Sequence, residues 1–455
     1  MTLNTGSITI AIRRENETEK FEARVPITPK DVIYIRNLVG DKINFTIQPS
    51  NLRCFTDSDY IAAGATVQES MHDADVICCV KELDKEKLLD DKIYLVFAHV
   101  IKGQPDNMPL LQQILKQRIT LIDYESIINE KGDRTVFFGK SAGQAGMIES
   151  LRAFGLRCAF FDIPTVFQEI MPLYKYKDLN DAKGHISSLA DKLVKNPSLL
   201  GVFDCPLVVA IAGFGNVGKG AADILSLLSP QMMNPCDLNS LFMANHSGLF
   251  QCNLQKPDLL RNKFGGFDVS EYSKSPLDCK SILPSFIQHI TILLNCVFWS
   301  AGLPRILPRD DFQACWQVGT NKLQVIGDLS CDPPDGSVAC TIQCGDLYDP
   351  IFGYDPKTNQ ITDCFSANGV TVMAVDNLSA GLPVDSSVSF SSMLRDLILP
   401  LVTAKISGSA WLEALPPALS GAVVTHQGAL TEKFNYLNLC IENKVSNSNF
   451  LVMPS

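Results

Sequence analysis

No two cysteines in this 455-residue chain stand as C-x-x-C. The fifteen thiols are scattered; only Cys78 and Cys79 adjoin, and Cys340 and Cys344 are close. A zinc ribbon or a C-x-x-C redox pair is thereby excluded. Reduced thiols in an intracellular protein are the expectation, with no metal site. Long apolar runs are also missing. None approaches the roughly 18 residues of a membrane span, so no membrane partner is expected. Cations are in the minority: 39 Lys and Arg against 49 Asp and Glu leave a formal charge of -10. A nucleic-acid binder would carry a basic stripe, and none is expected here. A small anionic substrate stays compatible, because a pocket can be locally positive inside an acidic protein. Internal repeats at a period of roughly 20 to 50 residues are absent, as is low complexity. The opening "MTLNTGSITIAIRRE" leaves no room for a secretory signal or long transit peptide before the first strand. A cytoplasmic location is expected, or the mitochondrial matrix for a chain whose transit peptide was removed.

What is present is apolar sequence in short blocks. Hydrophobic residues make up 46% of the chain, ample for large cores. The length predicts two to three domains. In the first third, "SITIAIRRE", "INFTIQPS", "ADVICCVKE", "KIYLVFAHV" and "TLIDYESI" read as strands. Between them, "TPKDVIYIRNLVG", "DSDYIAAGA" and "NMPLLQQILKQRI" have helical spacing, and "KEKLLDD" is a short helix or turn. Such alternation predicts a parallel sheet with helices on both faces. A long connecting helix, "SAGQAGMIESLRAFGLRCAF", leads to a second alternating region that begins at "PLVVAIAGFGNVGKGAADILSLL". Later strands are "ITILLNCVFW", "LQVIGDLS" and "GVTVMAVDNL". Residues 229–285 are the least legible. From Leu382 the tail is helical at first and irregular afterwards.

The sharpest local motif is G-x-G-x-x-G at Gly213, Gly215 and Gly218, between an apolar strand and a helical pattern. That context is what a dinucleotide fingerprint requires. Gly213 permits the tight turn, Gly215 lets backbone approach a pyrophosphate, and Gly218 lets helix and strand pack. Asn216 and Val217 complete the expected phosphate-binding turn at the helix N-terminus. An acid about 20 positions on would bind the ribose hydroxyls of NAD. Here that region reads "SPQMMNPCDLNS", and Asp237 follows a proline with no apolar strand before it. The missing acid favours NADP over NAD, with Arg261 or Lys263 as cations for the 2′-phosphate.

Three strand ends in the first third carry polar residues: Lys81 and Glu82, then His99 and Lys102, then Glu125. Ligands of doubly wound sheets bind beyond the C-terminal ends of the strands. Neighbouring strands would therefore gather these residues at one edge, with Arg24 after the first strand. Any one of them alone could be an ordinary loop residue. Together they hold a lysine and a histidine, whose pKa values burial and neighbours readily move into an acid–base range.

Several stretches in order ("AIRRE", "FEARVPITPKDV", "VKELDKEKL", "VFAHVIKGQPDNMPLLQQIL", "LIDYESI", "FGKSAGQAGMI", "GFGNVGKGA", "AVDNLSAGLPVDSS") resemble the lysine–ketoglutarate reductase domain of the bifunctional aminoadipic semialdehyde synthases. The resemblance covers roughly residues 8–436. It implies reductive condensation of L-lysine with 2-oxoglutarate by NADPH, NAD being the less expected cofactor, to give saccharopine. It also implies an α/β fold of the alanine dehydrogenase type: two Rossmann-like, doubly wound parallel-sheet domains with the active site in the cleft between them. The expected substrate domain is 1–140 completed by 377–455, and the dinucleotide-binding domain is 141–376. By the same resemblance Lys81 is a catalytic lysine and His99 the acid–base histidine, tuned by Glu82 and Glu125. Arg24 and Lys102 are cations for substrate carboxylates, and Asp376 stands near the nicotinamide. Two departures occur, Ala339 for a family glutamate and Ser300 after Trp299. An alanine dehydrogenase-like enzyme, or a decayed nucleotide-binding homologue, are the alternatives. Oligomeric state stays open, a homo-oligomer being allowed.

Overall fold

The computed structural model describes residues 7–16, 21–81, 83–201, 206–238, 240, 247–300, 302–319, 322–334, 336–406 and 410–442. Its strands, in chain order, are β1 (Ile8–Ile12), β2 (Ile43–Ile47), β3 (Thr66–Val67), β4 (Val76–Cys78), β5 (Ile93–Val96), β6 (Thr120–Asp123), β7 (Pro206–Ala212), β8 (Gln231–Met233), β9 (Gly248–Leu254), β10 (Leu260–Arg261), β11 (Lys280–Ser281), β12 (Ile292–Asn295), β13 (Val325–Asp328), β14 (Ile351–Asp355), β15 (Gln360–Thr362), β16 (Val370–Ala374), β17 (Val423–His426) and β18 (Ala429–Leu430). The chain divides into two compact units, Met1–Phe138 with Pro383–Ser455, and Gly139–Leu382.

In the first unit the sheet order is β18-β17-β6-β5-β4-β1-β2-β3. Strands β1 to β6 pair in parallel, and β17 joins β6 antiparallel. Alternate residues feed opposite faces, as the pleat requires. Ile93 and Leu95 pack in one core with Val32 and Ile35 of helix α1 (Pro29–Val39) and with Phe390, Leu394 and Ile398. Tyr94 and Val96 pack in the other, with Leu111 and Ile114 of the helix at Met108–Lys116. Both faces are covered, so these strands read as unbroken apolar runs. Helix α1 starts where the Thr28 side chain accepts the Asp31 N–H and Pro29 supplies the preset φ of a first turn.

In the second unit the order is β15-β14-β16-β13-β12-β7-β9-β8. The registers Ala212↔Asn295, Asn295↔Asp328 and Asp328↔Ala374 align the carboxyl ends of four parallel strands. The connecting helix, Gly139–Phe160, packs on the helix Asn216–Leu225.

Three features depart from the sequence reading. The stretch 229–285 holds two parallel strands, β8 and β9. Strands β14 and β15 form an antiparallel hairpin, and β14 also pairs antiparallel with β16. The irregular tail contributes β17 and β18 to the first sheet. Strand β17 finds β6 some 300 residues away, and β8, β15 and β18 are only two or three residues long. Among the described residues no helix is long and apolar enough to cross a membrane, and no group of three or more His, Cys, Asp or Glu is placed to hold a metal.

Candidate active site

At the carboxyl edge of the first sheet, β4, β5 and β6 are consecutive neighbours. Cys78 pairs with Leu95 and Val96 with Asp123, so the three strands end nearly level. The first two run on side by side: Cys79 N–H donates to Leu95 O at 3.2 Å and Phe97 N–H to Val80 O at 3.4 Å. Lys81 and His99 therefore leave adjacent strand tails, and Glu125 leaves the next. Glu82 lies outside the described residues.

His99 adopts φ 53, a left-handed backbone that is uncommon for a residue other than glycine. Its carbonyl accepts Asn107 Nδ2 at 2.8 Å, and its ring stacks on Phe97 with centroids 6.2 Å apart. The loop beyond is pinned by Tyr436, whose hydroxyl donates to Ile101 O at 2.6 Å. Such strain persists only where surroundings impose it, and it concentrates at functional sites. The ring Nδ1 sits 3.6 Å from Glu125 Oε2, and Arg134 Nη2 sits 3.2 Å from Glu125 Oε1. Lys102 is exposed on the same loop.

The carboxyls at this edge are pushed apart in pKa. Burial alone would raise that of Glu125. The neighbouring His99, Arg134 and Lys102 outweigh it and hold the carboxyl at about 2. Two residues earlier, Asp123 is fully buried. Burial, reinforced by the Glu125 charge, lifts its carboxyl to about 7, although Oδ1 accepts the Glu125 N–H at 2.9 Å. Glu15, after β1, accepts the Val80 and Lys81 N–H groups at 2.7 and 3.0 Å. Burial also raises it to about 7, with the Glu22 charge adding. One edge thus holds a carboxylate fixed in its charged form beside two carboxyls that titrate near neutrality. Separated pKa values of this kind assign acid and base roles.

Arg24 is held in place within the unit. It is buried, donates from Nε and Nη2 to Glu22 at 2.8 and 2.5 Å, and lies over the Phe138 ring at 4.2 Å. Glu22 and the Phe138 ring hold its guanidinium in a fixed orientation.

In the second unit a glycine-rich turn follows β7. Gly213 has φ 85, and a Cβ there would stand 2.9 Å from the Cys296 carbonyl. A Cβ at Gly218 would meet Gly213 O at 2.2 Å. A Cβ at Gly215 would meet nothing within 4 Å, which leaves room for an approaching ligand. Gly215 caps the helix that begins at Asn216 and Val217, and among the described residues no side chain makes a cap hydrogen bond there. This edge fits a dinucleotide pyrophosphate. Asp376 is exposed just past β16, two strands beyond β12 on the same edge.

The strand beside β7 is β9, with Gly213 N–H donating to Leu254 O at 2.8 Å. The ribose-reading position is therefore occupied by Gln255 and then Lys256, both exposed. Asp237 sits in a short turn after the edge strand β8, one strand further out. Arg261 turns back to donate to the Pro257 and Leu260 carbonyls, and Lys263 lies over Phe264.

Sequence reasoning missed Asp123, Glu15 and Arg134. The strand-final aspartate of "TLID" was available as a signal, since a charge ending a central apolar strand must be buried. Arg134 gave none, because it arrives from a loop.

Residues 11–145 match the family model described as alanine dehydrogenase/PNT, N-terminal domain. The alpha-aminoadipic semialdehyde synthase, mitochondrial, of Bos taurus is 32% identical over 453 residues, 96% of this chain and 48% of that protein. The alpha-aminoadipic semialdehyde synthase of Arabidopsis thaliana is 28% identical over 92% of this chain and 40% of its own length. The saccharopine dehydrogenase (NAD+, L-lysine-forming) of Emericella nidulans is 23% identical over 87% of this chain and 92% of its own. The chain spans about half the length of the synthases it matches. Among solved structures, an L-alanine dehydrogenase superposes with a TM-score of 0.60 at 16% identity, over 96% of this chain and 100% of that one. A transhydrogenase from Sinorhizobium meliloti gives 0.53 at 13% identity, over 93% and 100%. The fold is that of the alanine dehydrogenases.

Proposed function

We propose that the chain, whose residues 11–145 match the alanine dehydrogenase/PNT N-terminal domain model and whose fold is that of the alanine dehydrogenases, catalyses the reductive condensation of L-lysine with 2-oxoglutarate, using NADPH, to give saccharopine. The observation that carries this reading is the pairing of His99 with Glu125 beside the buried Asp123, on strand ends next to Lys81. The similarity to the semialdehyde synthases, over 96% of this chain, supports the choice of substrates.

The reaction needs a proton taken from an ammonium group, a hydroxyl lost as water, and an iminium carbon reduced. NADPH, when bound, supplies the hydride. Lys81 exchanges a proton with the secondary amine, and His99 carries protons to and from the carbinolamine oxygen. Glu125 stays charged and holds His99 in place. Asp123 offers a nearby carboxyl that gains and loses a proton near pH 7. Lys102, exposed on the His99 loop, is the cation for a substrate carboxylate. Arg24, oriented by Glu22 and Phe138, is a second cation for a substrate carboxylate. Gly213, Gly215, Asn216, Val217 and Gly218 would hold the pyrophosphate. Gln255 in the ribose-reading position removes the carboxylate that would repel a 2′-phosphate, which supports NADP. Asp376 would stand near the nicotinamide.

The test is NADPH oxidation by the purified chain. Oxidation is expected only with lysine and 2-oxoglutarate together, and more slowly with NADH. Turnover with pyruvate and ammonia instead would make it an alanine dehydrogenase. Tight NADPH binding without turnover on either pair would make it a non-catalytic homologue.

A further inference from the structure

The loop after β13 brings two thiols together. Cys331 is buried and Cys344 is exposed, thirteen positions on, and their Sγ atoms are 3.1 Å apart. A disulfide needs a bond of about 2.05 Å, so closure asks for a movement of roughly 1 Å. The sheet itself imposes the approach. At one end, Cys331 N–H donates to Asp328 Oδ1 at 3.2 Å, and Cys331 takes a left-handed φ of 50. Thr341 donates to the other oxygen of Asp328 at 2.6 Å. At the far end Gly345, next to Cys344, donates to Ala374 O at 2.8 Å and bridges Val375. Asp328 and Ala374 are register partners on adjacent strands. Both ends of the loop are therefore anchored to neighbouring strand ends, and the two sulfurs meet between them.

We propose that Cys331 and Cys344 are a reversible thiol–disulfide site that reacts with low-molecular-weight disulfides. The exposed Cys344 sulfur attacks one sulfur of the small disulfide. A mixed disulfide forms, and one small thiol leaves with the Cys344 proton. The Cys331 sulfur then attacks the Cys344 sulfur, the bridge closes, and the second small thiol leaves with the Cys331 proton. Two protein thiols are oxidised and one small disulfide is reduced to two thiols. Burial, with the carboxylates of Asp376, Asp328 and Asp332 adding, keeps the Cys344 thiol raised against the contact with Cys331, so little thiolate forms near neutral pH and attack on the small disulfide quickens as pH rises. The exchange is a different reaction from the one proposed above, although Cys344 lies close to Asp376.

The experiment treats the folded full chain with glutathione disulfide, quenches in acid, and maps the peptides by mass spectrometry. The expected product is a peptide linking Cys331 to Cys344, lost on reduction. Cys331→Ser should instead accumulate glutathione on Cys344, and Cys344→Ser should leave Cys331 unmodified. A stable glutathione adduct on Cys344 in the unsubstituted chain, with no linked peptide, overturns the proposal. So does modification of the exposed Cys236 while Cys331 and Cys344 stay untouched. The unsubstituted chain supplies these readouts, so the result does not depend on either variant folding.

Discussion

At His99, backbone and side chain are fixed by different neighbours. Asn107 holds the carbonyl, Phe97 the ring face, and Glu125 the ring edge. A residue so placed can move protons without first being ordered. His99→Gln keeps a polar group of similar size but cannot shuttle a proton. Turnover should fall by about 10² to 10⁴, the usual contribution of a positioned acid–base group, while NADPH affinity measured by fluorescence titration stays unchanged. An unaltered rate refutes the role. Asp123 makes a second prediction at this scale. Its folded pKa lies above the ordinary carboxyl value, so its contribution to stability is fully present below about pH 4. That contribution is lost as pH rises towards 7. Glu15 behaves in the same sense. Glu125 runs the other way: its contribution is present above pH 4.5 and lost as pH falls towards 2. Asp123→Asn removes the burial cost of a charge while Oδ1 can still accept the Glu125 N–H. It should stabilise the chain at pH 8 by at most ~4 kcal/mol and change little at pH 4. Denaturant midpoints at the two pH values measure both arms, and equal effects would sink the assignment.

At the scale of elements, the contact between the helices Gly139–Phe160 and Asn216–Leu225 is backbone on backbone. A Cβ on Gly143 would stand 1.9 Å from Val217 O, and one on Gly220 would stand 2.2 Å from Lys140 O. Neither carbonyl can swing aside as a side-chain tip can. Gly220→Ala should therefore cost about 1–3 kcal/mol or more by overpacking. It should also weaken NADPH binding, because the displaced helix carries the phosphate turn. Gly184, in the helix Leu179–Lys195, has nothing within 4 Å of its Cβ position. Gly184→Ala should stabilise by roughly 0.5–1 kcal/mol. Thermal denaturation of the two variants should move in opposite directions. The glycines of "SAGQAG" and "GKGA" announce a close crossing in the sequence, but only the fold says which helix each one faces. Legibility elsewhere follows the same divide. Buried parallel strands such as β5, β7 and β12 show as apolar runs. Strand β17 pairs with β6 some 300 residues away, and nothing local in "VVTH" marks that partner. In the site, His99 and Glu125 follow from consecutive strand ends. Arg134 reaches Glu125 from a loop, and the Glu22 that balances Arg24 is visible only once the chain is folded.

At the scale of the whole molecule, the first unit is built from both ends of the chain. The helix Pro383–Ile406 places Phe390, Leu394, Ile398, Leu401 and Val402 in its core. From the same helix, Ser387 accepts the Val25 N–H and Ser391 the Thr28 N–H, each at 2.9 Å. Arg395 pairs with Asp31 at 2.9 Å. Burying five such side chains is worth about 10 kcal/mol at ~2 kcal/mol each, comparable with the roughly 5–15 kcal/mol by which a whole domain is stable. The second unit, by contrast, is one continuous stretch, Gly139–Leu382, with its own core around Val208, Leu293, Ile326 and Val372. A chain ending at Leu382 should therefore lose the first unit and keep the second. Calorimetry should show one unfolding transition removed, and NADPH binding should persist. Oxidation dependent on lysine and 2-oxoglutarate should vanish, because His99, Glu125 and Asp123 all stand on the lost sheet. Retention of both transitions would mean that the first third folds without its C-terminal helix, contrary to the core that the two segments share.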